Sequence, residues 1–137
     1  MAPNPPTAVV AGILIEKGKV LVSKRLPQDS YGGKWEFPGG TVDDESPREA
    51  LRRELFEELG IKVRVGDWFV KVHAEKQKGG IFIIDFYWVT RLPGTSPPRA
   101  REVSAWRWVR PLDLQALDFI PSNYEVIRKL VRVVRAG

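Results

Sequence analysis

Glu54, Glu57 and Glu58 stand at i, i+3 and i+4, a spacing that gathers three carboxylates on one face of a helix. Like charges so placed repel by roughly 0.2–0.5 kcal/mol per pair on an exposed helix, and by more when water is withdrawn. A bound cation is the natural compensation. The chain has no cysteine and a single histidine, His73, so there is no thiolate nucleophile, thiolate metal site or disulfide framework. The remaining donors are oxygens, which suit a hard cation such as Mg2+, with Mn2+ as an alternative. Three carboxylates, phosphate oxygens and water can complete one octahedral ion or share two. The competing reading is a solvated acidic face partnered by Arg48, Arg52 and Arg53.

The charge distribution favours the first reading. The net charge is +5, yet residues 43–58 hold seven acids against three bases, leaving that stretch at −4 and the rest at +9. An acidic focus in basic surroundings suits a cation site that draws in a polyanion such as a triphosphate. At 137 residues and 43% apolar content the chain fits one packed domain, taken as residues 7–137 behind a disordered tail at 1–6. No apolar run is long enough to span a bilayer, and the N-terminus lacks the basic start and apolar centre of a secretory signal. A cytoplasmic enzyme is expected.

The elements that must position the carboxylates are well marked. Ser46 as N-cap, Pro47 at the first helical position and Glu49 three residues after the cap open a helix. Leu51, Leu55 and Leu59 form its buried stripe, and Gly60 supplies a left-handed stop, so the helix is expected over residues 47–59. Before it, residues 7–16 and 20–22 flank Lys17-Gly18-Lys19 and read as a β-hairpin. Residues 26–34 form a polar loop long enough to lie over a pocket, and residues 35–40 are expected to run from an extended piece into a tight glycine turn. A second strand pair is expected at residues 61–71 and 81–91, then a strand at 103–109 and a short helix at 111–117. A second capping box, Ser122 to Glu125, opens a closing helix with a basic face of Arg128, Lys129, Arg132 and Arg135. On the 103–109 strand Trp106 and Trp108 share one face and read as core, and His73 reads as a surface or loop residue.

The full string is Gly39, five residues, Glu45, seven residues, Arg53-Glu54-Leu55, one residue, Glu57-Glu58, one residue, Gly60-Ile61. This resembles the Nudix box, and chance would produce it at a given start with a probability below about 10⁻⁹. Trp35-Glu36-Phe37-Pro38 before the glycines and Phe119-Ile120-Pro121-Ser122-Asn123 before the last helix extend the resemblance to the MutT-type branch. The resemblance implies an α/β fold, an α/β/α sandwich with a mixed β-sheet in which the box forms a loop, helix and loop over a metal site. It implies that Glu54, Glu57 and Glu58, with Gly39 at the head of the box, form the metal site. Arg53 would hold the carboxylates in place, Glu45 and Gly40 would support the loop, and Leu55 and Ile61 would be core. The general base would be a box glutamate or a later one, for which Glu102 stands in the matching place; otherwise Glu102 is a surface acid beside Arg99 and Arg101. Arg25, Phe37 and Asn123 resemble the base-contacting positions, although Asn123 also reads as a cap-region residue and Arg25 as a strand-end charge.

Two departures stand out. In familiar members the second glycine of the pair opens the box, whereas here Gly39, the first, meets the spacing to Glu45, so the loop is one residue shorter. Asp43-Asp44 replaces the common acidic-Pro-Gly turn, and Thr41 stands where a lysine often follows the glycines. The expected activity is Mg2+-dependent hydrolysis of a nucleoside triphosphate, an oxidised purine form such as 8-oxo-dGTP among the candidates, to monophosphate and pyrophosphate. The partner is a small nucleotide rather than a nucleic acid or a membrane, and the oligomeric state is open. Two rivals remain. One is a Nudix hydrolase of another nucleoside diphosphate derivative, such as ADP-ribose, a nucleotide sugar or a dinucleoside polyphosphate. The other is a catalytically weak nucleotide- or RNA-binding module using the basic last helix.

Overall fold

The computed structural model describes residues 5–136; residues 1–4 of the expected disordered tail lie outside the described residues. Strand β1 (Thr7–Glu16) turns at Lys17 and Gly18, whose φ angles are 52° and 76°, into β2 (Lys19–Lys24). Two successive residues at positive φ match the right-handed twist of a tight hairpin. Two short strands follow, β3 (Trp35–Glu36) and β4 (Gly39–Thr41), then helix α1 (Pro47–Leu59), the long hairpin β5 (Val63–Glu75) and β6 (Ile81–Arg91), and β7 (Ala105–Val109). Helix α2 (Tyr124–Ala136) closes the chain.

The sheet runs β3-β2-β1-β6-β5, with β4 added to β1 and β7 to β2. It is mixed, because β1 runs parallel to β6 from Thr7↔Phe82 to Leu14↔Val89 while the other pairs are antiparallel. Strand β1 is buried on both faces, and its side chains alternate between two cores. Ala11 and Ile13 join Val20, Val22, Phe86, Ile127 and Leu130 beneath α2. Val10 and Leu14 join Leu21, Val89 and the Leu51, Leu55 and Leu59 stripe of α1. The result is an α/β/α sandwich. Each of these fully buried leucines contributes roughly 1.5–3 kcal/mol of transfer free energy, which fixes α1 against the sheet and with it the outward face that carries the carboxylates.

Several expectations are corrected. Gly39 and Gly40 are not a turn: they pair with Ala11 and Val10 in β4. Strand β5 begins at Val63 and continues to Glu75, because β6 offers it partners as far as Ile81. Strand β7 begins at Ala105, and the expected helix at 111–117 is a 3-10 segment, Pro111–Ala116. The second capping box does not form. Ser122 lies within a 3-10 turn, Pro121–Asn123, and its hydroxyl accepts from Asn123 Nδ2 at 3.3 Å. His73 is exposed, but on β5 rather than in a loop. Trp106 and Trp108 are half-buried against the α1 core.

Candidate active site

Helix α1 is held at both ends by its own sequence. Ser46 Oγ accepts the Glu49 N–H at 3.2 Å and donates to Glu49 Oε1 at 3.0 Å, so the box closes through the hydroxyl. Gly60, at φ 69°, returns its N–H to Phe56 O. Between these ends Arg53 reaches across the acidic face. Its Nε and Nη2 grip Glu45 at 3.0 and 2.7 Å, and its Nη1 reaches Glu54 at 2.9 Å and Glu57 at 3.1 Å. Nη2 also bonds Thr41 O at 3.1 Å, tying the loop between β4 and α1 to the helix. The shortened loop therefore still delivers Glu45 to Arg53. Arg53's hydrogen bond, aided by the Asp43 backbone, holds Glu45 below the usual carboxylate range, and Glu45 in turn raises Arg53.

The glycine pair permits two close approaches. A Cβ on Gly40 would lie 2.3 Å from the Glu54 carboxylate, and one on Gly39 would lie 1.9 Å from Val10 O. Glu54 thus rests on bare backbone. Its half-burial pushes its pKa up against the pull of Arg53. Glu58 is more enclosed: burial, then the charges of Glu36 and Glu54, push it up to about 9. Its Oε2 is buried without a hydrogen-bond partner.

An orphaned carboxylate oxygen, a glycine cradle under a second carboxylate and an all-oxygen donor set fit a hard divalent cation. Among the described residues, no three His, Cys, Asp or Glu side chains already stand close enough together to hold an ion. The Arg53 guanidinium pairs with Glu54 and Glu57 and serves as their internal counter-ion.

Beside the glycines opens a cavity of about 540 Å³, lined among others by Arg25, Glu36, Phe37, Gly40 and Asn123. That volume suits a nucleotide-sized ligand. Phe37 is 2% exposed and packs edge-on to Phe86 at 6.0 Å. Asn123, also 2% exposed, stands immediately before α2 and its amide is not free: its Oδ1 accepts the Phe37 N–H at 2.9 Å. Its Nδ2 also donates to Ser122 Oγ at 3.3 Å, so one amide hydrogen and one lone pair of Oδ1 remain to meet a base. Arg25 likewise is not a bare strand-end charge. Its Nη1 donates to both oxygens of Glu36 at 3.0 Å, and its Nε donates to Ser30 O at 2.6 Å. Glu102 is exposed, and its backbone N–H donates to Glu58 O at 3.2 Å, which brings this segment to the C-terminal end of α1.

Glu36 went unnoticed in the sequence as a site residue. Burial, opposed by Arg25, pushes it up to about 7. The signal available was a lone carboxylate between two aromatic residues, Trp35 and Phe37.

The family model of the NUDIX domain matches residues 3–130. The chain is 38% identical over 120 residues to a protein named CTP pyrophosphohydrolase from Escherichia coli (strain K12), covering 87% of each. It is 34% identical over 119 residues to the 8-oxo-dGTP diphosphatase of the same organism, covering 86% of this chain and 90% of that one. The crystal structure of the MutT protein from Methanosarcina mazei Go1 superposes with a TM-score of 0.82 at 25% identity, covering 96% of this chain and 97% of that one. Sequence, fold and relatives agree that the chain belongs to the Nudix family and is a hydrolase of the MutT type.

Proposed function

We propose that this Nudix hydrolase converts a nucleoside triphosphate to its monophosphate and pyrophosphate with Mg2+, Mn2+ serving as the alternative. The observation that carries the reading is the meeting, at one glycine strand, of an oxygen-only acidic cluster and a nucleotide-sized cavity. Glu54, Glu57 and Glu58, with Gly39, hold the cation. When bound it neutralises charge on the phosphates and makes water easier to deprotonate. A box glutamate, Glu54 or Glu57, takes the proton of the attacking water; Glu102 is the alternative base. Arg53 restrains the carboxylates, with Glu45 and Gly40 supporting the loop. At the other end Phe37 walls the base, Asn123 Nδ2 donates to its edge, and Arg25 lies at the cavity wall.

The names of the two relatives suggest CTP and 8-oxo-dGTP as substrates to test first. The remaining amide donor of Asn123 suits either, since both bases carry ring-edge acceptors. The experiment measures pyrophosphate against orthophosphate release from CTP, dGTP, 8-oxo-dGTP, ADP-ribose and diadenosine tetraphosphate, with wild type and Glu57→Gln. The expected result is monophosphate and pyrophosphate from a triphosphate, with Glu57→Gln slower by about a hundredfold. Turnover confined to ADP-ribose or diadenosine tetraphosphate would overturn the pocket assignment, and no turnover at all would favour a nucleotide-binding module.

A further inference from the structure

The cavity contains an ion pair that this chemistry leaves unused. Glu36 is paired through β3 with Ser23 of β2, its side chain is 13% exposed, and it lines the cavity together with Gly39 and Gly40. On one side Arg25 Nη1 meets both of its oxygens, while Arg25 Nε fastens the loop at Ser30. On the other side the same cavity wall leads to the box carboxylates, since Gly40, which lines it beside Glu36, lies directly against the Glu54 carboxylate, and the charge of Glu36 helps to raise Glu58. Arg25 serves Glu36 and Arg53 serves Glu54 and Glu57, whereas the Oε2 of Glu58 has no hydrogen-bond partner and leaves the group open toward a further cation.

We infer that Glu36 is a shared carboxylate, held by Arg25 when no cation is bound and drawn on by a divalent cation at Glu54 and Glu58, so that Arg25 and the cation compete for it. The inference rests on the reading of the box glutamates as the metal site. Its consequence is a coupling between the two ends of the cavity. A cation that takes a share of Glu36 loosens Arg25, which is then available to the anionic nucleotide, and Glu36 acts as a positioning residue for both.

The test is Mn2+ binding to the full chain without nucleotide, read from the electron-spin signal of free Mn2+. Wild type is compared with Glu36→Gln, Arg25→Gln, the double variant, Arg25→Lys and Glu58→Gln. Glu36→Gln is expected to weaken binding about tenfold. Arg25→Gln tightens it severalfold, and that tightening disappears in the double variant, because the two residues act on one group. If the tightening persists in the double variant, Arg25 is merely a repelling charge and the inference fails; if both single variants weaken binding, the pair is only scaffold. Should Glu36→Gln not fold, Arg25→Lys decides. It retains the charge but loosens the grip, so tighter Mn2+ binding supports sharing and unchanged binding overturns it. Wild-type affinity in Glu58→Gln would instead sink the metal-site reading itself, whereas loss there with no change in Glu36→Gln sinks only the inference.

Discussion

Adjacent glycines at the site do different work, and the difference is measurable. A methyl on Gly40 meets the far end of the Glu54 side chain, which can swing away, whereas a methyl on Gly39 meets the Val10 carbonyl, which belongs to the sheet. Gly40→Ala is therefore expected to keep the fold and lose activity by about 10- to 100-fold, while Gly39→Ala lowers stability by about 1–3 kcal/mol or more through strain between β1 and β4. Paired thermal melts and Mg2+-dependent turnover check this; the opposite pattern, a stable and active Gly40→Ala, would remove the cradle from the site. At this scale the box residues were legible because their spacing is itself the helix geometry. Glu36 was not, and neither was the anchoring of Asn123 to the Phe37 backbone. Burial of a carboxylate and the hydrogen bond of an amide to Phe37, 86 positions away in sequence, are set by tertiary packing that no local pattern encodes.

Helix α1 was legible to the residue, since its cap, its leucine stripe and its terminal glycine are all local signals. The cap gives a direct test. Ser46→Ala removes the acceptor for the Glu49 N–H and should cost about 1 kcal/mol, seen as a lower denaturant midpoint at unchanged slope. Turnover should change little, because the leucines and Arg53 still fix the face that bears the carboxylates; a large loss of activity would mean that the cap, and not the core, sets the site. The elements misread in sequence are those whose limits come from a partner. Strand β4 exists because β1 pairs with it, although a Gly-Gly pair alone suggests a turn, and β5 extends as far as β6 supports it. The Ser122 box failed because Pro121 opens a 3-10 turn there and Asn123 Nδ2 donates to the serine hydroxyl.

Across the whole molecule, a basic chain encloses an acidic pocket, and the two respond to pH in opposite senses. The layered arrangement was legible through the resemblance to the Nudix family, with which the strands and the two amphipathic helices are compatible, but the parallel pairing of β1 with β6, which buries β1 on both faces, has no local signature. Burial raises Glu58 to about 9, Glu36 to about 7 and Glu54 above its usual value of 4.5. A carboxyl raised in the folded state binds its proton more tightly than the unfolded chain does. The stability it contributes is thus fully present below pH about 4.5 and is lost as pH rises toward about 7 for Glu36 and about 9 for Glu58. Glu45 and Glu16, both lowered chiefly by arginine hydrogen bonds, lose their contribution as the solution becomes more acid. The net charge of +5 acts against the pocket, because self-repulsion falls as pH rises. A melting temperature of the cation-free protein that falls by roughly 5 °C or more between pH 5.5 and pH 8.5 therefore isolates the buried carboxylates as the cause. Mg2+ should restore more of that loss at pH 8.5 than at pH 5.5, since the pocket then offers more ionised oxygen to the cation. A flat or rising profile, with an equal Mg2+ effect at both pH values, would mean that the carboxylates are solvated in the free protein and that the pocket stores no charge for the cation to neutralise.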